Sequence, residues 1–147
     1  MPAPMPTLHA LLICDLVLRE AVTNKHSAIG IFTDVHTTKL PMVLNPLAVY
    51  ASLTDALGSY ELALELEDLE NGQLVARVSG LRLESRDKLA THDFGIRLVN
   101  TVFPRASRYE FRLLVDGRLL GARTLRVHER PLPGGIAPAS PPAPEVP

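Results

Sequence analysis

The chain has one cysteine, no tryptophan, and only 5% aromatic residues. A single cysteine, Cys14, excludes an internal disulfide and with it the small stapled secreted domain. No cationic residue adjoins Cys14, so it is expected to be a small apolar residue on a buried strand rather than a reactive thiol. With so few aromatics, aliphatic side chains must fill most of any core. No apolar run approaches the roughly 20 residues that a membrane-spanning helix requires. Residues 1–7 carry no Lys or Arg, and the apolar run 10–14 stops at Asp15, so a secretory leader is not expected. Leu11-Leu12-Ile13-Cys14 loosely matches a lipoprotein cleavage site, but Ile13 stands where a small residue belongs. The expectation is a soluble cytoplasmic protein without membrane contact.

What is present suits one globular domain. The 147 residues are 46% apolar and 21% charged, too apolar for a disordered chain. The net charge of −1 hides an asymmetry. Residues 1–75 hold 3 Lys/Arg against 9 Asp/Glu, and residues 76–147 hold 12 against 7. Two readings follow: opposite charges paired across strands of one sheet, or an acidic face meeting a basic one on another copy or a partner.

Residues 108–127 give the fold its first definition. Tyr109, Phe111, Leu113 and Val115 recur every second residue with Glu110 and Arg112 between them, the period of a half-buried strand. Asp116-Gly117 supplies a tight two-residue turn, and the run to Val127 closes a hairpin. Similar alternation marks residues 60–68, where Tyr60, Leu62, Leu64 and Leu66 face inward and Glu61, Glu65 and Glu67 face water. Glu70-Asn71-Gly72 is a second tight-turn signal, and 73–79 returns as the partner strand with Arg77 opposite a glutamate. Single strands are predicted over 8–20 (Leu12, Cys14, Leu16 and Leu18 on one face), 28–36, 47–54 and 92–101. Gly30 inside a strand signals a bulge or a close backbone approach. Residues 37–46, with two prolines, form a loop, and 81–89 are hard to read.

Seven or eight short strands with no amphipathic helix predict an all-β antiparallel β-sandwich over 8–130. A closed barrel is the alternative. Residues 1–7 are expected to be extended, and 131–147, rich in proline, to form a disordered tail. Tyr109 stands where immunoglobulin-like domains often carry a corner tyrosine. The stretch Asn24-Lys25-His26-Ser27-Ala28-Ile29-Gly30-Ile31-Phe32, with Val102-Phe103-Pro104 and the final hairpin, resembles a family of short uncharacterised bacterial β-sandwich proteins. The likeness covers residues 8–129 and implies a sandwich domain with no catalytic residues to carry over.

Chemistry is thinly signposted. The five histidines, His9, His26, His36, His92 and His128, are scattered, although Asp34 and His36 share a strand face. Zinc sites need three or four converging ligands, so neither a metal nor any other cofactor is expected. No Gly-x-Ser-x-Gly elbow and no glycine-rich phosphate loop is present. Arginines crowd the last third, among them Arg97, Arg108, Arg112, Arg118, Arg123 and Arg126. Single-strand nucleic-acid binders add exposed aromatics for stacking, and here Tyr109 and Phe111 belong to the core. The tail holds Pro-x-x-Pro spacing of the kind that docks into aromatic grooves.

The leading expectation is therefore a non-enzymatic binding or assembly module working on another protein or further copies of itself. Its candidate contact residues are Arg97, Arg112, Arg118, Arg123 and Arg126 with Glu61, Glu65 and Glu67. The alternatives are a metal- or ligand-binding protein or enzyme using Asp34, His36 and the 37–46 loop, and, ranked lower, nucleic-acid binding through the arginines.

Overall fold

A computed structural model describes residues 3–131. Among these the chain forms twelve strands and no helix: β1 Thr7–Cys14, β2 Leu16–Arg19, β3 His26–Ile29, β4 Asp34–Thr37, β5 Met42–Leu44, β6 Leu47–Thr54, β7 Gly58–Asp68, β8 Leu74–Ser85, β9 His92–Leu98, β10 Thr101–Phe103, β11 Ser107–Val115 and β12 Arg118–Glu129. Five of them make a sheet in the order β4-β12-β11-β7-β8, and three make a second in the order β1-β6-β9. The remaining four form two ribbons, β2 with β3 and β5 with β10.

The β11–β12 hairpin turns at Asp116 (φ 49°) and Gly117 (φ 79°), the left-handed pair that matches the twist of its strands. In β7 the Leu, Ala and Glu residues favour a helix by at most a few tenths of a kcal/mol each. Each leucine buried by alternation is worth about 1.5–3 kcal/mol, so the strand wins. Leu64 and Leu66 of β7, Tyr109, Phe111 and Leu113 of β11, and Leu125 and Val127 of β12 share one core with Ile13, Val49, Ala51, Leu53 and Ile96 of the three-stranded sheet. The two sheets thus enclose a common interior.

One end of this interior is fastened by a buried carboxylate. Asp68, 1% exposed, accepts bonds from Arg105 Nε (2.8 Å), Ser107 Oγ (2.5 Å) and the backbone N–H of Glu70 (3.0 Å). Burial alone would raise its pKa, but the Arg105 and Ser107 bonds outweigh it and hold the carboxyl below the usual range. The Tyr109 hydroxyl donates to the carbonyl of Arg105 at 2.5 Å, and its ring meets Phe103 edge-on at 5.0 Å.

Several expectations need correction. Residues 8–20 are two strands, because the chain bends at Asp15; Leu16 and Leu18, expected beside Cys14 on a covered face, are exposed. Residues 28–36 likewise break, with Gly30 (φ 70°) between β3 and β4. The two bends fit together: the backbone N–H of Asp15 donates to the carbonyl of Ile29 at 3.0 Å, and that of Phe32 to the carbonyl of Ile13 at 3.0 Å. A Cβ on Gly30 would stand 2.4 Å from Asp15 Oδ2, so the expected close approach is real. Beyond the bend, β2 and β3 fold as a flap over the outer face of the three-stranded sheet, with Val17 against Gly95.

The remaining differences are local. The 37–46 loop contains β5, paired with β10. Residues 69–73 form a five-residue connection in place of a tight turn, closed by Asp68 N–H to the Gln73 carbonyl at 2.8 Å. The unreadable 81–85 simply continues β8 after a bulge at Ser79-Gly80. Last, β4 runs parallel to β12, so the larger sheet is mixed. Apart from Pro131, the Pro-rich tail lies outside the described residues.

Candidate functional site

The last strand is covered unequally. On one side β11 pairs with β12 over its whole length; on the other, β4 reaches only Arg126–Glu129. The backbone N–H of Arg126 donates to the Thr33 carbonyl at 2.8 Å, and that of Arg130 to the Thr37 carbonyl at 2.7 Å. Even-numbered residues here therefore turn their backbone groups toward β4's side. By the same two-residue period, Ala122 and Thr124 turn theirs to that side as well, short of the point where β4 begins. Both are exposed, and with Thr33, Asp34, Arg123 and Arg126 they line a notch at the sheet's edge.

Charge gathers beside this edge and is not cancelled there. Arg108 of β11 lies directly opposite Arg126 of β12, a like-charge pairing that weakens a sheet unless something neutralises it. Among the described residues Arg108, Arg118, Arg123 and Arg126 enter no ion pair. Asp34, which lines the notch, is engaged by His128 Nε2 at 2.8 Å, a bond that holds the Asp34 carboxyl below its ordinary range.

Elsewhere on the same sheet the charges pair internally. Glu65 bonds Arg77, Glu67 bonds Arg112, and Glu61 stands in register with Arg82. So of the eight candidate contact residues, Arg118, Arg123 and Arg126 share β12. Arg112, Glu65 and Glu67 are taken up by in-sheet pairs, Glu61 lies on β7, and Arg97 sits on β9 of the other sheet.

The Asp34 and His36 pair acquires a neighbour that spacing could not reveal. His128 stands in register with His36, and the two rings stack at 4.7 Å. The 37–46 loop does not complete this group, since Leu40, Met42 and Leu44 pack on the core. Among the described residues no group of three or more His, Cys, Asp or Glu is placed to hold a metal ion. Cys14 is fully buried, with Sγ 3.7 Å from the Ala48 carbonyl, and burial pushes its thiol pKa up. Sequence reading missed the backbone of Ala122 and Thr124. The parity of β12 could have pointed to it, but the shortness of β4 could not be read from residue types.

The class this defines is an all-β domain in which a three-stranded and a five-stranded sheet share one core. Residues 9–128 match the family of unknown function DUF6941, and the chain belongs to that family, in agreement with the likeness expected over 8–129. No curated protein matches the chain. Among solved structures it is similar in fold to Pseudomonas fluorescens alkylpurine DNA glycosylase AlkC bound to DNA containing an abasic site analog, with a TM-score of 0.52 and 11% identity. That likeness covers 84% of this chain and 30% of the glycosylase chain. No helix of the described residues is long and apolar enough to cross a membrane.

Proposed function

We propose that the chain is an immunoglobulin-like β-sandwich that serves, in the cytoplasm, as a non-enzymatic binding module for another protein. Its docking element is the open edge of β12, and its partner is an extended segment bearing acidic side chains. The observation that carries this is that β4 leaves Ala122 and Thr124, both exposed, unpaired on that side, in a strand whose Arg118, Arg123 and Arg126, with Arg108 of β11, have no ion-pair partners among the described residues. Strand addition draws affinity from main-chain hydrogen bonds and specificity from flanking side chains. An acidic strand laid here would also relieve the opposition of Arg108 and Arg126. The corner arrangement of Tyr109 supports the immunoglobulin-like reading of the fold.

The test is a titration of the full chain with an extended peptide of alternating Thr and Glu, followed by amide NMR. Slowed exchange at Ala122 and Thr124, lost in Thr124→Pro, is the expected result. That substitution deletes an N–H facing the edge and leaves the bonds to β11 in place. The neighbour in fold is a protein bound to DNA, so an oligonucleotide arm is included. Preferential, steeply salt-dependent binding of the oligonucleotide would overturn the protein-partner reading, and none of the seven Tyr and Phe side chains is exposed enough to favour it. Self-association abolished by Thr124→Pro would make the partner a second copy.

A further inference from the structure

A second site, on the other sheet, lies beneath the flap. In register, Val17 faces Ala28 and Arg19 faces His26, so these four side chains share the flap's inner face. Opposite them, the outer face of the three-stranded sheet carries Tyr50, Gly95 and Arg97. Val17 rests on Gly95, where a Cβ would approach it to 2.7 Å, and this contact sets the flap close to the sheet. Beside the contact a cavity of about 450 Å³ remains, within the range of small-molecule sites.

Its lining is apolar at the centre and charged at the rim. Val17 and Ala48 supply its apolar side chains, while Leu16 is exposed on the flap's outer face and Phe94 packs on the shared core. Of the acidic side chains, Asp93 is already engaged, accepting the Tyr50 hydroxyl at 2.8 Å. Asp15 is packed against Gly30 at the bend. The cations are less committed: Arg19 donates to Asn24 Oδ1 at 3.0 Å, and neither Arg19 nor Arg97 forms an ion pair among the described residues. His26, which also lines the cavity, has a buried Nδ1 without a hydrogen-bond partner among those residues.

We propose that this cavity binds a small organic carboxylate with a flat apolar body, the body lying against Val17 and Ala48 and the carboxylate meeting Arg97 and Arg19. A guanidinium presents its donors as a planar fork that matches a carboxylate. The site is independent of the β12 edge and stands or falls separately from it.

The probe is naphthalene-2-carboxylate, titrated into the full chain and followed by calorimetry and amide NMR, with the neutral naphthalene-2-carboxamide as comparison. The carboxylate is expected to shift the amides of Val17, Ala28 and Gly95 and to bind at least about tenfold more tightly than the amide, as loss of a charge-assisted bond implies. Arg97→Gln should remove that preference, and Arg97→Lys should keep part of it, with unfolding curves matching the parent. Equal binding of the two probes, shifts confined to other parts of the chain, or an unchanged preference in a folded Arg97→Gln protein would overturn the assignment.

Discussion

The β7–β11 wall and the β2–β3 flap are both antiparallel pairs, yet they are held by different means. In the wall, alternate side chains enter the shared core, and its end is tied by Asp68 to Arg105 and Ser107. In the flap, Leu16, Leu18 and Ile29 face outward and are exposed, while the inner face rests on a neighbouring sheet through Val17. A two-stranded ribbon alone is marginal in water. The flap therefore depends on its bend, where Asp15 and Gly30 interlock, more than on its own strands. Stability in this molecule is uneven, and the flap belongs to its weaker part.

The most severe way to probe the contrast is Asp68→Ala. It strands the Glu70 N–H and leaves the Ser107 hydroxyl with Glu70 Oε2 alone, while Arg105, half exposed, keeps Glu70 and finds water. A loss of about 2–3 kcal/mol in urea unfolding is expected, below the range for a pair buried at both ends. The sign of its pH dependence follows from the depressed pKa of Asp68. The contribution is whole above the unfolded value of about 3.9 and fades as pH falls through the lower native value. Acid titration of Asp68→Ala should accordingly lack that limb of the parent's curve.

Gly30→Ala comes next. A left-handed φ costs an L-residue about 1–2 kcal/mol, and the new Cβ collides with the Asp15 carboxylate. Hydrogen exchange should quicken at Leu18 and Ser27, a hydrogen-bonded pair of the flap, while Phe111 and Leu113 stay protected. Equal loss of protection in both regions would erase the distinction between wall and flap. The smallest effect is expected from Arg77→Ala, which breaks a half-exposed pair with Glu65 on the outer face of the wall. Its cost should fall below about 0.5 kcal/mol and shrink further in salt; a large loss would mean that surface charge, rather than the core, holds the wall.

The same contrast separates what the sequence disclosed from what it concealed. In β7 and β11 the two-residue period, the Asp116-Gly117 turn and the placing of Arg77 opposite a glutamate were legible, because each is a matter of neighbours along or across one hairpin. Residues 8–20 and 28–36 each read as one strand, with Gly30 the signal of a bulge or close approach in the second, yet both bend. The physical cause is a contact between Asp15 and Gly30 that neither segment contains by itself. Asp68 read as the polar end of a strand, since its partners Arg105 and Ser107 arrive from far along the chain. The arginines were visible as a group, but their sorting into paired Arg112 and unpaired Arg108, Arg123 and Arg126 required the register of the sheet. The edge of β12 depended on where a four-residue strand ends.

The parallel pairing of β4 with β12 carries a consequence for synthesis. Asp34 meets Arg126 and Thr37 meets Glu129, so an early strand must wait for almost the last one before it has a neighbour. On the ribosome, β1, β6 and β9 can assemble while β4 is still waiting, because long-range closures come slowly. Chaperones that shield bare strands from misassociation would meet the nascent chain in that interval.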